Sequence, residues 1–261
     1  MLAQVQSAVD QRPAGTTLIL LFDFDGTLAE FNPDPAAPVL APHRRERLET
    51  LWQRPDTAVG IVSGRRLDDL RRRTALASKV YLAGLHGLEI EVESRRWAHP
   101  DLDRAGGMVR GLAARLAEVV TAFPAAAVED KHASVAIHAR RVQADARAPV
   151  FAHADRVAAP WITARLVRRL EGDAVVEYLP NISGHKGEAL AWIVRDVELR
   201  TGRPAWVVYV GDDVTDEDAF RAIKPGSGIA VLVGLRPTSA THKLDGIAGV
   251  DSFLSFLASR E

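Results

Sequence analysis

The chain has 261 residues, of which 47% are hydrophobic and 26% charged, a composition that suits a folded globular protein with a sizeable core and excludes wholesale disorder. Its 33 basic residues nearly cancel its 34 acidic ones, and the formal net charge of −1 leaves no electrostatic footprint for nucleic acid or an anionic membrane. There is no cysteine, hence no disulfide, thiolate nucleophile or thiolate metal site, and neither a basic-then-apolar leader nor a membrane-length apolar run is visible, so a cytoplasmic protein is expected.

In chain order, a strand is predicted over 16–23 (TTLILLFD), a helix near 40–53, a strand over 57–62 (TAVGIV), a helix over 64–73 and a strand over 79–84 (KVYLAG). The rhythm resumes late, with a helix over 187–201, a strand over 205–210 (AWVVYV), a helix over 215–223 and a strand over 228–233 (GIAVLV). Continuous apolar strands alternating with helices predict an α/β fold with a doubly wound parallel sheet covered on both faces. Between about 104 and 178 the pattern changes to a long helix (RGLAARLAEVVTAF), alternating segments (AVEDKHASVAIHAR), a helix ending in TARLVRRL and a short strand (AVVEY). This reads as an α+β module, 104–178, inserted into a core made of 1–103 and 179–261. Arg44-Arg45 and Arg71-Arg72-Arg73 are read as solvated helix faces, and Trp192 and Trp206 as core.

The first strand ends in Asp23-Phe24-Asp25-Gly26-Thr27. Side chains at i and i+2 of an extended segment share a side, so Asp23 and Asp25 can face one small volume, where they repel unless a cation intervenes or one is protonated. Gly26 permits a tight turn, and Thr27 offers a hydroxyl and an amide beyond it. The alternative is an aspartate capping a turn. Ser63 follows the second strand, where it can bind a phosphate oxygen or cap the helix 64–73. Lys186 lies in the first turn of a helix, opposing the macrodipole, which an anionic partner would explain. Five carboxylates, Asp212, Asp213, Asp216, Glu217 and Asp218, crowd the end of the strand 205–210, some accounted for by capping at Thr215 or Asp216 and the rest pointing to a metal ion.

The fixed order of D-x-D-G-T, Ser, Lys and GDD-x-x-D resembles the four-motif site of the haloacid dehalogenase superfamily. GDDVTDEDAF at 211–220, SGR at 63–65, GLHGLEI at 84–90 and E-x-K-x-x-S-x-x-x-H-x-R at 129–140 resemble, more particularly, the trehalose-6-phosphate phosphatase family, over about 16–235. The likeness weakens over 172–186, where Asp173 and Leu179 stand in place of a lysine and an arginine common in the family.

The resemblance implies a Rossmann-like core with a C2-type cap and a Mg²⁺-dependent hydrolysis of trehalose 6-phosphate. Asp23 is then the nucleophile and Asp25 the acid and base, with Ser63 and Lys186 neutralising phosphoryl charge. The implied metal ligands are the Asp23 carboxylate, the Asp25 carbonyl and Asp212, with Asp216 and Asp213 as direct or outer partners. All-oxygen ligands favour Mg²⁺, and none of the eight histidines forms a cluster suited to zinc. Thr27, Gly64, Arg65, His86, Gly87, Glu129, Lys131, Ser134, His138, Arg140, Glu177 and Asp213 are the implied substrate contacts, although His86 also reads as a satisfied loop histidine and His138 as a packing residue. The same core serves other sugar phosphates, such as sucrose 6-phosphate or mannosyl-3-phosphoglycerate, and a silent sugar-phosphate sensor or an aspartate-phosphorylated receiver are the readings from other classes.

Overall fold

The structure, a computed structural model, describes every residue except Pro33, Pro35, Ala36, His132, Ala133, Ser183 and Glu261. The chain divides into two compact units, Met1–Trp97 with Gly184–Glu261, and Ala98–Ser183.

The first unit is organised around β1 (Thr17–Phe22), every residue of which is buried. Its alternate side chains enter two separate cores: Leu18, Leu20 and Phe22 join one, Ile19 and Leu21 the other. That two-sided burial is why the sequence reads as a continuous apolar run. Five further strands lie parallel in the order β12-β11-β10-β1-β2-β3, namely β2 (Thr57–Val62), β3 (Tyr81–Gly84), β10 (Ala205–Gly211), β11 (Gly228–Val233) and β12 (His242–Leu244). Beyond β3 the sheet is mixed: β4 (Glu89–Val92) pairs antiparallel with it, and β5 (Arg95–Ala98) forms the edge.

The first core packs α1 (Leu2–Asp10), α2 (Pro42–Trp52), α3 (Leu67–Thr74) and α8 (Gly246–Ala258) on one sheet face, and the second packs α6 (Lys186–Thr201) and α7 (Glu217–Ala222) on the other. The α3 helix begins later than 64, with Arg66 at its N-cap and no side-chain cap. Ser63 is therefore not the cap; its hydroxyl accepts from the Arg65 amide (3.2 Å) in the loop before the helix.

Two expectations about basic runs are each overturned at one residue, while Arg71 and Arg72 are exposed as expected. Arg44 is buried, its Nε and Nη2 donating to Asp251 on α8 (2.8 and 2.7 Å) and its Nη1 to the Leu28 carbonyl (3.0 Å). A guanidinium can lie inside because each contact replaces hydration with a charge-assisted hydrogen bond. Arg73 likewise turns inward to Asp69 and the Pro38 carbonyl, whereas Arg72 is exposed.

In the second unit α4 (Leu102–Ala122) and α5 (Arg147–Thr163) pack on one face of a four-stranded antiparallel sheet, order β6-β7-β9-β8. Its strands are β6 (Ala127–Asp130), β7 (Val135–His138), β8 (Val167–Gly172) and β9 (Val175–Pro180). The expected helix through TARLVRRL ends at Thr163, and VRRL belongs to β8. Arg169 and Glu171 alternate with Arg168 and Leu170 along that strand, and Arg169 pairs with Asp155 on α5 and with Glu171. Paired in this way, the charged residues fit a strand of period two, not a helical face.

The Arg44–Asp251 pair makes a stability prediction. Arg44 holds the Asp251 carboxyl below the ordinary range, against partial burial and with help from His43. Asp251→Asn is expected to cost about 2 kcal/mol at pH 7, less than a fully buried pair because Asp251 is 29% exposed. A lowered native pKa adds stability that is complete above the unfolded value, about 4, and disappears as the pH falls through the native value. Urea unfolding should thus give a gap between parent and variant that is wide at pH 7 and narrower at pH 3; an equal gap at both would refute it.

Candidate active site

Phe22 of β1 lies beside Val210 of β10, and the Asp23 amide donates to the Val210 carbonyl (2.8 Å). Two neighbouring parallel strands therefore release their acidic loops side by side. Asp23, Asp212 and Asp216 each offer an oxygen within a 4.8 Å group. Gly26 makes the approach possible: its φ is +88°, and a Cβ there would lie 2.2 Å from an Asp212 carboxylate oxygen. Thr27 Oγ1 donates to Asp212 Oδ1 (2.9 Å) across the two loops.

The cation among these carboxylates is Lys186, at the start of α6 and 2% exposed. Its ammonium donates to Asp23 Oδ1 (2.6 Å) and Asp216 Oδ1 (2.7 Å). These two carboxylates offset both its desolvation and its unfavourable place at a helix N-terminus, and they raise its pKa against burial. Asp216 also accepts from Tyr209 Oη (2.9 Å) and from the Asp213 amide (2.9 Å). Burial pushes Asp23 well up, against Lys186, and burial together with Asp216 pushes Asp212 up to about 7.

Were all three ionised, the carboxylates and the one ammonium would leave two negative charges uncompensated, Asp23 and Asp216 being buried and Asp212 partly so. A hard divalent cation matches that charge and that donor set, so the residues fit one. Binding it would favour the ionised carboxylates and reverse the upward shifts.

The five-carboxylate turn is not a single metal cluster. Asp213 caps the turn that Asp216 closes, in place of the expected cap at Thr215 or Asp216. Asp218 faces Arg221 at 3.5 Å. Glu217 is buried among Ser239, Thr238 and Arg236, which overcome its desolvation and hold its carboxyl down at about 2. Arg236, which also donates to the main-chain carbonyls of Asp212 (2.8 Å) and Asp213, was not among the expected site residues. Its one sequence signal is a basic residue just past a strand adjacent to the acidic turn.

Asp25 does not join the carboxylate group. Both its oxygens accept from Arg65, Nε at 2.7 Å and Nη2 at 2.6 Å, and Arg65 also reaches Asp69. Ser63, Gly64 and Arg65 are tied to the end of β3 through Leu85 and His86, whose amides donate to the Arg65 and Ser63 carbonyls (2.8 and 2.9 Å). Leu85, His86 and Gly87 all have positive φ (52°, 58° and 103°). For the first two this is strained backbone, held by those hydrogen bonds and by burial. The His86 ring lies against Gly64, where a Cβ would be 2.7 Å from it.

The remaining expected residues form a second cluster, in the second unit. Glu129, Ala136 and Glu177 are neighbours across β6, β7 and β9. Lys131 Nζ and Ser134 Oγ both donate to Glu177 (2.9 and 2.5 Å), and His138 Nε2 is 2.7 Å from Glu129 Oε2. His138 is thus paired with a carboxylate. Burial would raise Glu129, but His138 and Lys131 outweigh it and hold the carboxyl low. Arg140 follows β7, its carbonyl 3.5 Å from Arg147 Nη2, and the positions 132 and 133 inside the signature lie outside the described residues. Leu179, where the family pattern suggested an arginine, is buried.

A model of the trehalose-phosphatase family matches residues 21–247. The chain belongs to this family, within the haloacid dehalogenase superfamily. It is 34% identical over 247 residues to a trehalose-phosphate phosphatase of Mycobacterium tuberculosis, which covers 92% of this chain and 61% of that protein, so the chain spans about three fifths of the length of such relatives. Its fold is similar to the C-terminal domain of a C. albicans trehalose-6-phosphate phosphatase, with a TM-score of 0.85 and 21% identity over 98% of this chain and 96% of that one. It is also similar to the C-terminal domain of a Candida albicans trehalose synthase regulatory protein, with a TM-score of 0.76 and 16% identity over 98% of each. Among the described residues no helix is long and apolar enough to cross a membrane.

Charge crowding leads to paired expectations. Asp212→Asn removes a repelled carboxylate while keeping an oxygen for Thr27, so the metal-free variant should melt a few degrees higher than the parent, on the order of 1 kcal/mol. The parent should gain about 2.7 kcal/mol at a Mg²⁺ or Mn²⁺ concentration a hundred times its Kd, a rise that the variant largely loses. Thermal melts with and without cation check both; an identical cation response in the two proteins would exclude Asp212 as a ligand.

Proposed function

We propose that the chain is a Mg²⁺-dependent phosphatase that hydrolyses trehalose 6-phosphate to trehalose and phosphate. The observation that carries this reading is Lys186 held between Asp23 and Asp216 at the carboxyl ends of β1 and β10, with Asp212 opposite. It sets a carboxylate oxygen nucleophile beside an ammonium, among carboxylates that would hold a divalent cation, and phosphoryl transfer uses such paired nucleophile and positive charge. The choice of sugar is supported by the names of the relatives and by the polar sheet face of Ala98–Ser183, which we assign as the substrate-selecting cap.

An Asp23 oxygen attacks phosphorus as the bond to the sugar oxygen breaks, giving an aspartyl phosphate. Asp25 delivers a proton to the departing sugar oxygen and then takes one from water as the water oxygen attacks phosphorus and the Asp23 bond breaks. For this, Arg65 must yield at least one Asp25 oxygen. Lys186 and the Ser63 hydroxyl hold phosphoryl oxygens, and Thr27 orients Asp212. Asp23, Asp212, Asp216 and the Asp25 carbonyl would hold Mg²⁺, which when bound would supply further positive charge to the phosphoryl oxygens.

Asp23→Asn, nearly isosteric, is expected to lower turnover by several orders of magnitude with the fold intact, and a loss smaller than tenfold would remove Asp23 as nucleophile. The sugar claim has its own test. Hydrogen bonds to charged groups contribute about 1.5–3 kcal/mol each, so Glu129→Ala or Lys131→Ala should lower kcat/KM for trehalose 6-phosphate by roughly 10- to 150-fold. Hydrolysis of a small aryl phosphate should change little. Equal losses on both substrates would mean that the second unit only supports the fold, and no loss on either would end the sugar-binding assignment.

A further inference from the structure

Arg236 follows β11, the strand beside β10, and its guanidinium spans the acidic turn that leaves β10. Nε donates to the Asp212 carbonyl at 2.8 Å, Nη2 to the Asp213 carbonyl and Nη1 to Glu217 Oε1. Glu217 is fixed in turn by the Ser239 amide (2.9 Å), the Ser239 hydroxyl and the Thr238 hydroxyl (2.7 Å). Nη1 also donates to the adjacent Pro237 carbonyl (2.9 Å), and a planar fork with four acceptors defines both distance and orientation, which a lysine cannot do. The main chain of Asp212 is thereby held from one side by Arg236, while its carboxylate is held from the other by Thr27.

We infer that Arg236 is a positioning residue for the divalent-cation site: its clamp on the carbonyls of Asp212 and Asp213 aims the Asp212 carboxylate at the cation. The inference rests on the cation site of the proposed function, but not on the identity of the substrate. Electrostatics and positioning predict opposite outcomes here. As a nearby positive charge, Arg236 repels a cation, so its removal would tighten binding. As a clamp, it prepays the ordering of the ligand, and its removal weakens binding. Groups that orient metal ligands typically contribute 10- to 100-fold in affinity.

The test is Mn²⁺ binding by electron paramagnetic resonance, without substrate, on the full chain carrying Arg236→Lys or Arg236→Met, beside thermal melts of the metal-free proteins. The expected result is a 10- to 100-fold weaker Mn²⁺ affinity in both variants, with the metal-free Arg236→Lys protein melting close to the parent. Arg236→Lys keeps the charge and retains a donor, so it decides the matter if Arg236→Met does not fold. Unchanged affinity in Arg236→Lys, tighter binding in Arg236→Met, or no Mn²⁺ binding by the parent would overturn the inference. A parent that binds Mn²⁺ yet hydrolyses no sugar phosphate would refute the proposed activity and leave the clamp standing.

Discussion

Phe22 and Val210 sit side by side in adjacent parallel strands, and the next residues of both strands turn out of the sheet at the same end. That register places Asp23 against the loop carrying Asp212 and Asp216, and carboxylates so close repel each other in a site from which water is mostly excluded. The rest of the site answers this repulsion. A lysine is buried at a helix N-terminus, where neither burial nor the dipole favours it, because two carboxylates accept from it. A tyrosine on β10 and the Asp213 amide donate to Asp216, so that this carboxylate has three donors before any cation is considered.

Holding like charges together requires that their loops be tied from outside, and three arginines do this. Arg44 joins the turn after β1, through Leu28, to α2 and α8. Arg65 bridges Asp25 to Asp69 on α3. Arg236 joins the turn after β10 to the segment after β11. Arg44 and Arg65 each join acceptors from distant parts of the chain and Arg236 grips one turn at three points, so loosening a loop would break several charge-assisted bonds at once. On the proposed reading a phosphoryl group entering such a site meets Lys186 and the tied loops already in place, so apart from the release of Asp25 by Arg65 the ordering cost falls on folding, not on the reaction.

The difference between what was legible and what was not follows this division. Strands β1, β2, β10 and β11 could be read within a residue or so, because burial on both faces forces an unbroken apolar run. Asp23, Lys186 and the acidic turn were legible because their chemistry is local to a strand end or a helix start. The braces were not: Arg44 and Asp251 are 207 residues apart, and nothing within α2 distinguishes the buried Arg44 from its half-buried neighbour Arg45. The carboxylates of 212–218 could not be apportioned from sequence for the same reason, since the donors that claim Glu217 lie at 236–239. In the second unit VRRL misleads because its two arginines are adjacent and so show no period of two, and only the pairing of Arg169 with Asp155 and Glu171 shows which face is which.

The two polar clusters differ in kind, and the difference bears on what each can hold. In the first unit Asp23, Asp212 and Asp216 outnumber Lys186, so the cluster suits added positive charge, and with it could accept an anion. In the second unit Lys131 answers Glu177, and Glu129 is hydrogen-bonded to His138, with Ser134 adding a neutral donor to Glu177. Nearly balanced charges with spare lone pairs neither demand a metal nor attract phosphate, but they can exchange hydrogen bonds with hydroxyl groups at little electrostatic cost. Taken each by itself, the first cluster suits a phosphate and the second an uncharged sugar. The selectivity of such a face lies in the geometry of its donors and acceptors, since a hydroxyl of the wrong sugar would leave one of these charged groups unpaired.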